Sequence, residues 1–305
     1  MSQHYHSLDA VHLNNAWLTI GVFDGIHRGH QEIIHKLTAG AHHNGAPAVV
    51  LTFSPHPALV LAGRDIRCLT TPEERASILF GLGIDTVITM DFTHELANHT
   101  AENFMADLKR QLGLKALLTG YDFALGKNRA GNVERLTQLG LELGYQVTAL
   151  EPVRINGEVI SSTLIRQTIA MGEVRLASEK LGRYYAMTGS VVSGDGRGRT
   201  IGIPTANVDA PACKALPLNG VYACWAHLGE KKYRSVVNIG LRPTFVTGEV
   251  LPRVEAHLLD FVDDLYGQDL TLEYVERLRA EQKFPSVDAL VAQIKADIHT
   301  AQELL

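Results

Sequence analysis

Two rhythms of apolar and polar residues divide the chain. Through about residue 182, short β-rich runs that are almost continuously apolar ("AWLTIGVF", "PAVVLTF", "IDTVITM", "KALLTG", "YQVTAL") alternate with stretches of helical periodicity. Those stretches are Gly29 to Asn44, "TPEERASILFGLG", "AENFMADLKRQLG", "NVERLTQLGLELG" and "STLIRQTIAMG". Strands without a polar face need cover on both sides, so this alternation predicts a doubly wound parallel sheet, an α/β domain over residues 1–182. Ligands of such sheets bind beyond the carboxyl ends of the strands, which makes the loops after strands the place to look for chemistry.

From residue 183 the rhythm changes. "RYYAMTGSVVS", "GVYACWAHLG", "KYRSVVNIG", "RVEAHLLDF" and "LTLEYVERLR" succeed one another with glycine-containing turns and no helix between them. That succession predicts an antiparallel β-barrel or sandwich over residues 183–305. Only the end departs from it. In "SVDALVAQIKADIHTAQELL" the residues Val287, Leu290, Val291, Ile294 and Ile298 share one stripe behind a capping Ser286, so a terminal amphipathic helix should pack on the barrel.

Composition adds bounds to this picture. The 305 residues, 46% of them apolar, exceed the length at which one core stops growing, consistent with two domains. A formal charge of −5 provides no broad cationic field, which argues against nucleic acid or an anionic membrane as partner and leaves phosphate binding to local pockets. Cys68, Cys213 and Cys224 are odd in number and lack metal or disulfide spacing, as in a reducing compartment. With no leader-like or membrane-spanning run, a cytoplasmic protein, monomer or weak homo-oligomer, is expected.

The densest chemistry lies in "GVFDGIHRGHQEII", residues 21–34. If Val22 and Phe23 end a strand and a helix begins near Gly29, His27 and His30 flank the first helical turn, where exposed N–H groups and the positive dipole end favour an anion. Gly25 and Gly29 allow a tight turn and close backbone approach, and imidazoles can donate to phosphate oxygens. One histidine capping the helix and the other solvated is the plainer reading. In "ISSTLIRQ", Ser161, Ser162 or Thr163 can cap a helix, and Arg166 one turn later can reach phosphate with a planar fork.

"GVFDGIHRGHQEII", "LTFSPHP", "GYDFALGKNRAGN" and "ISSTLIRQ" occur in the order seen in the adenylyltransferase half of prokaryotic bifunctional riboflavin kinase/FAD synthetases, and the first half resembles that Rossmann-like nucleotidyltransferase domain. "GSVVSGDGRGRTIGIPTAN", "GVYA", "VVNIGLRPTF", "VEAHLLDF" and "DLYG" resemble the riboflavin kinase module of the same family. The resemblance implies transfer of an adenylyl group from ATP to FMN, giving FAD and pyrophosphate, in the first half. It implies phosphorylation of riboflavin to FMN in the second. It places Phe23, Asp24, Gly25, His27, His30 and His56 at the ATP phosphates with Ser161, Ser162, Thr163 and Arg166. It also makes Asp122, Phe123, Gly126 and Arg129 a flavin and nucleotide loop, with Leu125 where an aromatic is common.

In the second half, Gly194, Gly196, Gly198 and Gly202 can bring backbone N–H groups against phosphates, with Arg197 and Arg199 adding charge, although the spacing matches neither a Walker loop nor a dinucleotide fingerprint. Pro204 fixes the local backbone, and Thr205 and Asn207, two apart in an extended segment, present oxygen to one side, the ligand type Mg²⁺ takes. The resemblance assigns Glu255 as the base that takes the riboflavin hydroxyl proton, and Arg279 and Phe284 to the segment closing over flavin. Two rival classes are a noncatalytic flavin-binding regulator and a single-function nucleotidyltransferase with a binding-only barrel. The second would leave "PTAN" and "VEAHLLDF" idle.

Overall fold

A computed structural model describes residues 2–155, 157–194, 197–243 and 250–305. The chain divides into two compact units, Met1–Ser162 and Thr163–Leu305. The first contains β1 (Gln3–Tyr5), β2 (Trp17–Ile20), α1 (Arg28–His43), β3 (Ala48–Ser54), α2 (Pro57–Ala62), α3 (Pro72–Gly81), β4 (Thr86–Asp91) and α4 (His94–Ala97). There follow α5 (Ala101–Leu112), β5 (Ala116–Gly120), β6 (Ala124–Leu125), β7 (Gly131–Asn132), α6 (Val133–Leu143), β8 (Gln146–Leu150), β9 (Arg154–Ile155) and β10 (Glu158–Val159).

Six strands form one sheet in the order β1-β4-β3-β2-β5-β8, and every pairing in it is parallel. Alternate residues of one strand feed two cores. Val49 and Leu51 of β3 join Phe104, Leu108 and Leu136 on one face, while Ala48 and Val50 join Ile34, Leu37 and Leu79 on the other. Each such buried aliphatic side chain contributes about 1.5–3 kcal/mol, so the doubly wound arrangement follows from strands apolar on both faces. Helix starts are set locally: Thr71 and Glu74 form a reciprocal capping box ahead of Pro72 in α3, and Thr100 caps α5. Strand β1 lies outside the sequence expectation because three residues with little apolar character carry no periodic signal.

From β2 the chain winds outward through β3 to β4, then returns to place β5 on the other side of β2. The reversal puts a crevice at the carboxyl end of β2. The loop Gly21–His27 leaves β2 at that point.

The second unit contains α7 (Ser162–Ala170, whose first residue closes the first unit), α8 (Val174–Leu181), β11 (Tyr185–Val192), α9 (Arg197–Thr200), β12 (Ala206–Asp209), β13 (Gly220–Leu228), β14 (Lys231–Pro243), β15 (Val250–Leu258), β16 (Asp269–Arg279) and α10 (Val287–Leu304). Its strands close a barrel in the order β11-β12-β15-β14-β13-β16, antiparallel throughout. The division at Ser162 falls ahead of the 182/183 boundary read from the sequence, because α8 packs on β11 and β16. Helix α10 lies against the barrel wall with Ile298 and Ala301 on Val221, Ala223 and Val236. Val287, expected in its stripe, is instead 59% exposed, and Asp297, 5% exposed, takes an inward place.

Candidate functional site

The loop after β2 is held in a strained path. Phe23 and Ile26 adopt left-handed backbone (φ 49° and 40°) on either side of Gly25 (φ 79°), costly for a β-branched residue and maintained by burial of both side chains. The Asp24 carboxylate is turned inward, 2% exposed, accepting from the backbone N–H of Leu69 at 2.9 and 3.0 Å and of Thr70 at 3.0 Å. Asp24 thereby ties the loop to the segment before α3. Ser162 Oγ donates to the Asp24 carbonyl at 2.8 Å, binding the "ISST" segment to the same loop.

His27 is the N-cap of α1: its Nδ1 accepts the His30 amide at 3.4 Å, which leaves the ring's proton on Nε2 as a donor. The two imidazoles stack with centroids 3.7 Å apart, and Phe23 meets His30 edge-on at 5.0 Å. The capping histidine thus sits at the N-terminus of a 16-residue helix, the positive end of its dipole. His56 follows β3 and caps α2 in the same manner, its Nδ1 accepting from Ala58 at 3.1 Å. Ser161 lies in the first unit, Thr163 and Arg166 in the second.

On this carboxyl edge of the sheet lies a cavity of about 720 Å³. Its wall takes Gly21 and Val22 from the loop after β2, and Phe123 through Arg129 from the loop after β5. Asp122, Phe123, Gly126 and Arg129 all line it. Arg129 donates to the Asp122 carbonyl at 3.1 Å, closing that loop on itself. Leu125 supplies no ring, but Phe53, Phe92 and Phe104 do, with Phe53 and Phe92 packed edge to face at 5.5 Å. The sequence reading missed these aromatics because they come from separate elements.

In the barrel, one cross-strand register row carries the site. Asn207 pairs with Glu255, Glu255 with Asn238 and Asn238 with Val221, and Val221 with Arg279. Directly opposed residues point to one face, and all five line a cavity of about 360 Å³ beside α10, together with Thr205, Gly198 and Phe284. Three candidates drawn from three separate motifs, Asn207, Glu255 and Arg279, therefore meet. Asn238 and Arg253, not singled out in the sequence, belong with them. Arg253 clamps the row, its Nε donating to Asn207 Oδ1 at 2.8 Å and its guanidinium 2.9 Å from Glu255 Oε1.

Gly194 lets the loop approach this row closely: a Cβ there would come within 1.9 Å of Asn207 Nδ2. The Pro204 carbonyl accepts from His257 Nδ1 at 2.7 Å. Thr205 also lines a second cavity, about 400 Å³, formed with Phe261, Asp263, Leu265 and Tyr266 after β15. Gly202 occupies the turn before Pro204. Gly196 lies outside the described residues, as do the side chains of Arg197 and Arg199. Among the described residues no three His, Cys, Asp or Glu side chains gather as a metal cluster, and no helix is long and apolar enough to cross a membrane. Of the free thiols, Cys224 is buried and Cys213 exposed, and burial pushes the Cys224 thiol up from its ordinary value.

Comparison with known proteins matches each unit separately and the chain as a whole. A family model for FAD synthetase covers residues 9–164 and one for riboflavin kinase covers residues 181–305. The bifunctional riboflavin kinase/FMN adenylyltransferase of Escherichia coli K12 is 39% identical over 98% of this chain and 95% of its own length. That of Bacillus subtilis is 34% identical over 96% and 94%. A Streptococcus pneumoniae crystal structure described as a macrolide-efflux protein superposes with a TM-score of 0.89 at 32% identity, covering 99% of this chain and 98% of that one. With relatives of this identity matched along almost their entire length, the chain belongs to the bacterial bifunctional riboflavin kinase/FMN adenylyltransferase family.

Proposed function

We propose that the barrel unit phosphorylates riboflavin with ATP to give FMN and that the parallel-sheet unit transfers an adenylyl group from a second ATP to FMN, giving FAD and pyrophosphate. The observation that carries this reading is the register row Asn207–Glu255–Asn238–Val221–Arg279, which gathers a carboxylate, amides and a guanidinium on one cavity. Thr205 borders both that cavity and the next. Riboflavin occupies the cavity beside α10, and the nucleotide the one after β15, so that the γ-phosphate meets the 5′-hydroxyl near Thr205. Glu255 takes the hydroxyl proton as the oxygen bonds to the γ-phosphorus and the bond to ADP breaks. Arg253 orients Glu255 and Asn207 together.

The donor set also fits a hard cation. Thr205 and Asn207 line one cavity and offer neutral oxygens, Asn207 Oδ1 with a lone pair to spare beside the Arg253 Nε bond, and phosphate and water would complete the shell that Mg²⁺ prefers. When bound there, Mg²⁺ supplies neutralisation of the triphosphate charge.

In the first unit an FMN phosphate oxygen attacks the α-phosphorus of ATP and pyrophosphate leaves; no protein nucleophile takes part. His27, His30 and the α1 N-terminus stabilise charge that grows on the phosphate oxygens. The aromatic cavity lined by Phe53, Phe92 and Phe123 holds the isoalloxazine. Asp24 and Ser162 keep the loop in place. Free ATP, riboflavin, FMN and FAD are the partners of a cytoplasmic monomer or weak homo-oligomer, and the net charge of −5 supports no nucleic-acid or membrane role.

Chromatography of flavins over time, after mixing the protein with riboflavin, ATP and Mg²⁺, tests the reading. FMN should rise first and FAD follow after a lag. Riboflavin left unconverted, or FAD appearing with no FMN intermediate, would refute it.

A further inference from the structure

We propose that Asp297, on the C-terminal helix α10, is a positioning residue for riboflavin: its buried carboxylate fixes the Arg279 guanidinium as one wall of the cavity that contains Glu255. This deepens the kinase reading above and rests on it.

The geometry is that of a two-point clamp. Arg279 Nε lies 3.0 and 3.1 Å from the two Asp297 oxygens, and Nη2 donates to Oδ2 at 2.8 Å. Gln293, one turn earlier on α10, donates to the same carboxylate at 2.9 Å, and Arg279 Nη1 donates to the Ala280 carbonyl at 3.0 Å. The guanidinium is thereby held in orientation, its centre 5.7 Å from the Phe284 ring centroid. Arg279, Phe284 and Asp297 all line the cavity, and Arg279 ends the register row that begins at Asn207.

Adhesion of α10 to the barrel does not call for this arrangement. A buried ion pair gives little net stability relative to apolar residues of similar volume, and the same helix face already carries Ile298 and Ala301 against the wall. What an ion pair provides and a leucine does not is a flat, charged surface of defined orientation. Guanidinium planes stack on aromatic systems and present fixed donors, which suits a planar heteroaromatic ring edged with carbonyl oxygens. The clamp also keeps Arg279 from its competitors. Glu255 and Glu281 line the same cavity, so an Arg279 released from Asp297 has two other carboxylates to pair with, one of them the proposed base.

Steady-state kinetics of Asp297→Asn, which keeps the shape and removes the charge, tests the proposal. The riboflavin KM should rise about tenfold or more, with the ATP KM within about twofold and conversion of supplied FMN to FAD at the wild-type rate. A riboflavin KM within about twofold of wild type overturns the proposal, as does a lowered kcat at unchanged KM, the sign of a merely structural role. If Asp297→Asn does not fold by circular dichroism, Arg279→Lys, which keeps the charge but not the fork, is read in its place, and an unchanged riboflavin KM there is equally fatal. Wild-type protein in the same assay separates the two levels. If it fails to phosphorylate riboflavin the kinase reading falls, and fluorescence titration of riboflavin against wild type and Asp297→Asn still reports whether Asp297 governs flavin affinity.

Discussion

Replacing Gly194 by alanine puts the kinase site under a defined geometric load. The added methyl would stand 1.9 Å from Asn207 Nδ2, 2.6 Å from its Cγ and 2.9 Å from its Oδ1, where ordinary contact begins near 3.4 Å. Relief requires movement of about 1.5 Å at the amide. A side-chain terminus can move that far at little cost to the fold, so the thermal midpoint should fall by no more than a few degrees. Function is less tolerant. A shift of 1 Å in a positioning group can cost about a hundredfold in rate, and here the displaced amide also carries the Arg253 bond at 2.8 Å. We expect riboflavin kinase kcat to drop by roughly a hundredfold, with adenylylation of supplied FMN unchanged. The assay is initial-rate chromatography with riboflavin or FMN as the starting flavin. A Gly194→Ala protein that is folded and phosphorylates riboflavin within about twofold of wild type would refute the placement of Asn207 in the site.

Three further expectations concern other parts of the molecule. His27→Ala combined with His30→Ala should accumulate FMN from riboflavin without FAD; formation of FAD at the wild-type rate would remove the histidines from the transfer site. Asp24→Asn confronts the Leu69 and Thr70 N–H groups with an amide that can donate as well as accept, a loss of about 2–4 kcal/mol, visible as a lower thermal midpoint and slower adenylyl transfer with riboflavin phosphorylation retained. Burial pushes the Tyr222 and Tyr145 hydroxyls up to about 12 from an unfolded value of about 10. The folded state therefore holds these protons longer, and their contribution is intact below pH 10 and lost between pH 10 and 12, up to about 2.7 kcal/mol each. Thermal midpoints across that window should fall less steeply in Tyr222→Phe than in wild type; equal slopes would contradict the assignment.

Much of the architecture was legible from periodicity because the inner strands β3, β4 and β5 each feed two cores, as Val49 and Val50 do, leaving uninterrupted apolar runs. Loops after the strands of the sheet, with His27, His56 and Asp122, were legible by the same logic. Direction was not. The sequence places Asp24 in the right loop but does not say that its carboxylate turns inward to Leu69 and Thr70. Strand β1 was invisible because it is defined by its partner β4 rather than by its own composition. In the barrel, oxygen-bearing residues two apart singled out Asn207 and the family resemblance pointed to Glu255 and Arg279, but their meeting depends on pairing register, which no single segment encodes; Asn238 enters by that register, and Arg253 by its bonds to Asn207 and Glu255. Asp297 was hidden for a related reason: a charged residue in an amphipathic helix reads as solvated until its partner on another strand is known.

The central claim is that two separate sites carry the two reactions, and Glu255→Gln tests it most directly. Given riboflavin, ATP and Mg²⁺, the folded variant should form no FMN, and given FMN in place of riboflavin it should form FAD at the wild-type rate. Loss of both conversions, or retention of both, would contradict the account.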